Sequence, residues 1–390
     1  MLIGIDASRG FLKNRTGVEE YSYQLIRALA KIDEKNQYIL YLNGAENITM
    51  AGKLDWPENF KLKNIPFLRL WVHIALCRAA WQDKLDVLFI PAQAMPIFYL
   101  RKVVVTLHGL EYEHYPESYS AWRRFYLRLT TKFSLKHAAK IIAVSENTKK
   151  DLIKMYNGDT EKIKMVYHGF NAPTPTPSPP AIASLRRKRA GTSPSGRGSE
   201  FPLLSKEGRG EVLAPFLLAI GRLEKRKNII GLIKAFELIK KDGWIGKLVL
   251  IGKPGYGYSE IKKAIQDSPY KEDIIEKGYV SNEEKWRILQ SATVFVFPSF
   301  YEGFGMPLLE AFAARVPVAA SNASSLPEVG GDACVYFNPE NIDDMARKIK
   351  EVLENENLRQ DLIQKCRTRL QNFSWEKCAR ETLEVIKNAT

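Results

Sequence analysis

The sequence predicts an α/β protein made of two Rossmann-like domains that face a central cleft. Three observations carry this. Short apolar runs alternate with helical patterns over residues 1–171, as in βαβ units feeding a parallel sheet. From Asn171 to Val212 that pattern collapses into Pro-Thr-Pro-Ser-Pro-Pro and a Gly, Ser and Arg-rich tract without apolar periodicity. The alternation then restarts and runs to residue 373. A chain of 390 residues also exceeds what one hydrophobic core usually organises. The expected organisation is therefore a first domain over 1–171, a disordered Pro/Gly/Arg-rich linker over 172–212 and a second domain over 213–373.

The first domain offers strands at Leu2–Asp6, Gln37–Leu42, Asp86–Ile90, Lys102–Leu107, Lys140–Val144 and Ile163–Tyr167. Between the first two, Tyr21, Leu25, Leu29 and Ile32 recur at helical spacing on one face. In the second domain the pattern gives strands at Phe216–Ile220, Lys247–Ile251 and Thr293–Phe297. Helices are expected over Asn228–Lys241, over Ser281–Gln290 and from about Met306. Phe373-Ser374-Trp375-Glu376 opens a last helix with a capping serine, followed by Ala379, Leu383 and Ile386 at helical spacing.

Composition narrows the class. With 45% hydrophobic and 26% charged residues the chain is that of a folded soluble protein. Cys77, Cys334, Cys366 and Cys378 are scattered, as expected of thiols in a reducing cytoplasm. Met1 runs straight into an apolar strand, so no secretory leader is expected. The most apolar candidate span, Ile65–Ala80, is broken by Arg69, His73 and Arg78. The net charge of +14 suggests an anionic partner, although +5 of it falls between Ala181 and Gly210.

The strongest chemical signal is Glu302-Gly-Phe-Gly-Met-Pro-Leu-Leu-Glu310, which follows an apolar strand and opens a helix. Gly303 and Gly305 allow close backbone approach, and Pro307 suits a first helical turn. Free amides and the positive end of a helix dipole there suit a diphosphate. Glu310, a turn into the helix, can accept hydrogen bonds from vicinal ribose hydroxyls, while Glu302 can reach a sugar ring. The competing reading is a helix-capping acid plus a surface acid.

This stretch resembles the E-x7-E motif of the family 4, or group 1, retaining glycosyltransferases, mannosyltransferase-like members in particular. The resemblance implies the GT-B fold, a C-terminal helix over 374–390 that crosses back to the first domain, and hexosyltransferase activity of the EC 2.4 class. It also implies Glu302 on the transferred hexose, Glu310 on the ribose, and the amides of Gly303, Phe304, Gly305, Met306 and Leu308 near the phosphates.

Further segments carry the same resemblance. In Gly221-Arg-Leu-Glu-Lys-Arg-Lys-Asn228, Arg222 and Lys227 match the family's paired cations, which neutralise the departing diphosphate. A solvated basic turn is the plain alternative. In Val103-Val-Val-Thr-Leu-His108-Gly109, His108 stands just past a buried strand, with Tyr115-Pro116-Glu117 following; Gly109 stands where many relatives carry Asp. Gly17, in Asn14-Arg-Thr-Gly17, resembles the glycine loop ahead of the first helix, where Thr16 or Asn14 can cap. Val280 ends the stretch that lines the base pocket in relatives. Ser321 to Asp332 resembles a loop facing the donor, with Ser324 and Ser325 given little weight and Glu328 a structural role. Ser145 to Thr148 and Tyr167-His168-Gly169 read as capping and hinge segments.

No Asp-x-Asp is placed to hold a metal, so neither a metal nor an organic cofactor is expected, and the donor is a nucleotide diphosphate sugar. The first segment looks most like mannosyltransferases, which favours GDP-mannose over UDP-hexoses. The expected partners are that donor and a glycan or lipid-linked acceptor in cell-surface polysaccharide synthesis. Alternatives are a related GT-B enzyme such as an epimerase, or a non-catalytic nucleotide-sugar-binding protein. A nicotinamide oxidoreductase lacks G-x-G-x-x-G after the first strand, and a nucleic-acid binder is disfavoured by how the charge is distributed. Between Glu117 and Lys140, Trp122, Phe125, Tyr126 and Leu129 interleave with Arg123, Arg124, Arg128 and Lys132. That pattern fits a basic amphipathic helix lying on an anionic membrane, which would make the protein cytoplasmic and peripheral. Packing of the aromatics on the sheet is the competing reading.

Overall fold

The computed structural model describes residues 1–67, 70–92, 95–172 and 214–390. The expected linker, 172–212, falls outside the described residues apart from Ala172.

The first domain holds one parallel sheet of seven strands: β1 (Leu2–Asp6), β2 (Gln37–Leu42), β3 (Phe60–Asn64), β4 (Val87–Ile90), β5 (Val103–Leu107), β6 (Lys140–Ala143) and β7 (Ile163–Met165). Their order across the sheet is β3-β2-β1-β4-β5-β6-β7. The inner strands β4 and β5 are buried along their whole length, which is why they read as continuous apolar runs. Strand β3 was not expected from sequence. Lys61 and Lys63 break up its apolar content, and it lies at the sheet edge, where only one neighbour must be satisfied.

The second sheet has six parallel strands: β8 (Phe216–Ile220), β9 (Lys247–Ile251), β10 (Ile274–Gly278), β11 (Val294–Phe297), β12 (Val318–Ser321) and β13 (Cys334–Phe337), in the order β10-β9-β8-β11-β12-β13. In both sheets the strand order reverses beside the first strand, and a ligand crevice opens at such a switch point, outside the carboxyl ends of the strands. The residues that leave β5, β8 and β11 therefore meet at one place.

The last helix, Trp375–Lys387, is capped by Ser374, whose Oγ accepts from Lys377 N at 3.1 Å. It packs on the first domain's helix Gly17–Ile32 and shares that domain's core through Cys378, Ala379, Leu383 and Ile386. The chain thus finishes on the domain it began with. All four cysteines are free and buried.

Candidate active site

Glu302 is buried. It follows β11, and two cations from the segment after β8 close on it: Lys227 Nζ on Oε1, and Arg226 Nη1 on Oε2 at 3.2 Å. Arg226 also donates to the Tyr301 carbonyl and reaches Glu224 at 2.8 Å. Burial alone would raise the Glu302 carboxyl, but Lys227 and Arg226 outweigh it and hold its pKa down at about 2. Burial and the neighbouring Arg226 lower the Lys227 ammonium against the pull of Glu302. The trio is a preformed patch of fixed charge in a place poor in water.

Arg222, the other cation the motif singled out, is exposed and forms no ion pair among the described residues, yet it lines a small pocket together with Lys227, Phe297, Pro298 and Ser299. Proximity thus gives Glu302 the pair Lys227 and Arg226, while Arg222 stands at the rim, free to meet an anion.

The loop after Glu302 is held from beneath. Ser324 Oγ accepts from Glu302 N at 2.9 Å, and Ser325 Oγ donates to the carbonyls of Glu302 and Phe304 at 2.9 and 2.8 Å. Gly305 has φ +108°, a conformation that excludes ordinary side chains, and starts the helix Met306–Ala313. Among the described residues, the amides of Gly303, Phe304 and Gly305 have no protein acceptor, whereas Leu308 N is bonded to Gly305 O at 3.0 Å. The Phe304 and Leu308 side chains are buried, and Met306 is half-buried, so only main-chain groups of this loop are available to a ligand.

Gly303 is close to the other domain. A methyl there would stand 1.8 Å from the His108 carbonyl oxygen and 3.3 Å from Gly109 Cα. Sequence reasoning reserves this glycine for a phosphate, yet in the structure its lack of a side chain lets the two domains touch. Its own carbonyl accepts from Ser145 Oγ at 2.7 Å and Thr148 Oγ1 at 3.2 Å. Glu328 reaches across to the start of helix Glu146–Tyr156, accepting from Glu146 N at 2.6 Å and Asn147 N at 3.2 Å, a carboxylate on a helix amino end. Tyr301 links the halves again, accepting from Leu110 N at 3.1 Å and donating to Asp151 at 2.7 Å.

The first domain brings a different chemistry. His108 Nε2 donates to Pro91 O at 2.7 Å, which leaves Nδ1 an unprotonated acceptor, buried and without a partner among the described residues. Burial pushes its pKa down to about 4. Its ring lies 4.8 Å from Tyr21 and 5.5 Å from His168. His168 is itself buried with both nitrogens unpartnered among the described residues, packed 4.6 Å from Tyr21 and 4.5 Å from Phe304. Sequence reasoning leaves His168 as a hinge residue; the apolar contacts of Tyr21 and Phe304 could not be read locally.

The remaining candidates sit around this centre. Gly17 begins its helix beside open space, with Thr16 and Glu19 forming the capping box. Val280 is half-buried just after β10. Glu310 lies on the helix Met306–Ala313 with its carboxylate 2.7 Å from Lys285 Nζ on helix Asn282–Ser291, a partner the motif does not reveal. No group of three His, Cys, Asp or Glu gathers to hold a metal among the described residues.

The sequence profile of group 1 glycosyl transferases matches residues 207–369, and that of Glycosyltransferase Family 4 matches residues 15–172. The chain belongs to this family of glycosyltransferases. It is 28% identical over 390 residues to O-antigen chain mannosyltransferase B of Escherichia coli, across 95% of this chain and 96% of that one. To O-antigen chain mannosyltransferase RfbU of Salmonella typhimurium it is 27% identical over 253 residues, 65% of this chain and 61% of that one. Among solved structures, sucrose-phosphate synthase of Thermosynechococcus elongatus matches with a TM-score of 0.71 at 16% identity, over 99% of this chain and 98% of that one. HepE of Anabaena, in complex with UDP and glucose, gives 0.69 at 16% identity over 99% of both chains. These likenesses give the fold, GT-B, with its two parallel-sheet domains and the cleft between them.

Proposed function

We propose that this glycosyltransferase moves a hexose, with mannose favoured, from a nucleotide diphosphate sugar to a glycan or lipid-linked acceptor in cell-surface polysaccharide synthesis, retaining the anomeric configuration and using no metal or organic cofactor. One observation carries the reading. The free amides of Gly303 to Gly305 stand at the amino end of one helix beside Glu302, a carboxylate that stays ionised between Lys227 and Arg226, and Arg222 shares a pocket with Lys227. Departure of a nucleoside diphosphate builds negative charge, and fixed cations and amides stabilise it without reorganising.

In this reading the diphosphate leaves and the acceptor hydroxyl attacks from the same face, its proton passing to the departing phosphate. Glu302 holds hydroxyls of the transferred hexose, and Glu310 holds the ribose. GDP-mannose is the preferred donor, since relatives similar to this chain are named mannosyltransferases. The complex of HepE with UDP and glucose keeps UDP-hexoses as the alternative. Purified protein offered a panel of GDP- and UDP-sugars, with nucleoside diphosphate release measured and the product anomer read by NMR, tests both parts. Release from no donor in the panel, or an inverted product, overturns the reading.

The finer proposal is peripheral attachment at the inner face of the cell membrane. No helix of the described residues is long and apolar enough to cross a membrane. Helix Ala121–His137, however, exposes Trp122 by 75% and Phe125 by 56%, with Leu129, Lys132 and Lys136 also exposed. Beside it, Leu70, Ile74 and Phe98 are exposed too, and the His73–Tyr126 hydrogen bond at 2.9 Å joins the two segments. Arg124 and Arg128 are less free than the sequence suggests, because both pair with Glu113. An anionic bilayer matches this mixture of apolar and basic groups, each cation near the surface being worth about 1 kcal/mol. Co-sedimentation with phosphatidylglycerol vesicles should fall severalfold in Trp122→Ser/Phe125→Ser and at high salt; binding indifferent to both overturns the attachment.

A further inference from the structure

Glu111 opens the short helix Glu111–His114, three residues after His108, and the motifs discussed above give it no role. Its carboxylate bounds the same gap as Gly303: a methyl placed on Gly109 would stand 2.9 and 3.0 Å from its two oxygens and 3.0 Å from Gly303 Cα. It feels the charges of Arg226, Lys227 and Glu302, so it shares their field from the opposite domain.

The neighbouring acids are already engaged. Glu302 is held by Lys227 and Arg226, and Glu113 by Arg128, Arg124 and the Tyr156 hydroxyl. The Glu111 carboxylate forms no ion pair and accepts from no other residue among the described residues; its own backbone amide is the donor that faces it. The carboxylate is half-buried with lone pairs still open, and a hydroxyl that donates to them offsets the water it has lost. The donor loop and its charges come from the second domain, so a hydroxyl met from the first domain's side is that of the acceptor.

Resting on the glycosyl-transfer reading above, we propose that Glu111 is an acceptor-binding residue, whose carboxylate takes a hydrogen bond from an acceptor hydroxyl beside the attacking one and so turns the attacking oxygen toward the anomeric carbon across the gap from Glu302. The bond from that carbon to the β-phosphate oxygen breaks, with its electron pair leaving on the diphosphate. A new bond to the acceptor oxygen forms on the same face, and the hydroxyl proton goes to the departing phosphate. Glu111 gains no proton over the cycle; it supplies direction.

The test uses the full chain as wild type, Glu111→Gln and Glu111→Asp, with the donor identified by the panel. Glu111→Gln keeps the shape and removes the charge. Transfer to the glycan acceptor should fall about 100-fold or more in kcat/KM, with Asp recovering part of it. Slow hydrolysis of the same donor by water should change less than threefold. Affinity for GDP or UDP should hold or rise a few fold, because one negative charge facing the diphosphate is gone. Hydrolysis that falls in step with transfer places Glu111 on the donor hexose instead, and nucleotide affinity that falls more than fivefold makes it a prop for Arg226. Either result overturns the proposal, as does undiminished transfer by Glu111→Gln. Wild-type protein that binds nucleotide but transfers from no donor overturns the glycosyl-transfer reading and the acceptor role together.

Discussion

The two halves of the cleft are built in opposite ways. The second domain supplies formal charges that are already paired: Glu302 with Lys227 and Arg226, and Glu310 with Lys285. The first domain supplies neutral rings kept out of water, His108 and His168 beside Tyr21 and packed against Phe304 of the other domain, with three ring nitrogens left unpartnered among the described residues. The difference suits what the proposed transfer asks of each half. A leaving diphosphate needs cations whose positions are fixed before it departs, whereas a sugar hydroxyl needs a dry wall and a few open acceptors.

The largest expected effect breaks the charged half. Lys227→Ala and Arg222→Ala should each lower turnover by roughly 100-fold or more, because each removes a cation from developing charge. Their stabilities should separate. Lys227→Ala strips a buried carboxylate of one partner and should lower Tm by several degrees, while the exposed, unpaired Arg222 should be replaced with little change in Tm. Calorimetry beside kinetics checks this, and equal Tm values would mean that Glu302 does not depend on Lys227.

Acid should distinguish the halves next. The folded pKa of His108 lies near 4, below the ordinary 6.5, so between those values the unfolded chain binds more protons and stability falls as pH falls. His168, also lowered by burial, acts in the same direction. The His108 shift corresponds to about 3 kcal/mol across the window. Glu302 has the opposite origin: its pKa is held near 2, so its contribution is present above the ordinary 4.5 and is lost only as pH falls through 2. Melting temperatures from pH 7 down to 4.5 should therefore drop mainly through the histidine half. His168→Phe should flatten that slope, and an unaltered slope would locate the acid sensitivity elsewhere.

A smaller effect sharpens the charged half from within. Lys285→Met should raise the donor KM severalfold and leave kcat within about twofold, since Glu310 would lose the ammonium that fixes it, and the ribose contact proposed for it is alike in ground and transition states. A fall in kcat at unchanged KM would move Glu310 toward the reacting atoms.

Most strands, the break between the sheets and the Glu302 loop were legible in the sequence, because apolar periodicity and glycine spacing are local signals. What escaped is long-range. Arg226 lies inside the cation cluster, but Arg222 and Lys227 match the family spacing, and only the fold shows which cations reach Glu302. Ser324 and Ser325 look like any small polar turn until their hydroxyls are seen beneath the Glu302 loop, more than twenty positions earlier in the chain. Glu328 read correctly as structural, yet its partners are amides of the other domain, some 180 residues away. Strand β3 carries lysines that only its edge position permits.

Gly303 sets a tolerance. The 302–305 loop and the strand end that carries His108 stand so close that a single added carbon would overlap a carbonyl oxygen, at 1.8 Å. Any side chain at 303 is thus a shim between the two domains, and making room for it must part the loop from the strand end. The alignment of the charged wall with the neutral one is gauged at this one point, where the chain carries no side chain.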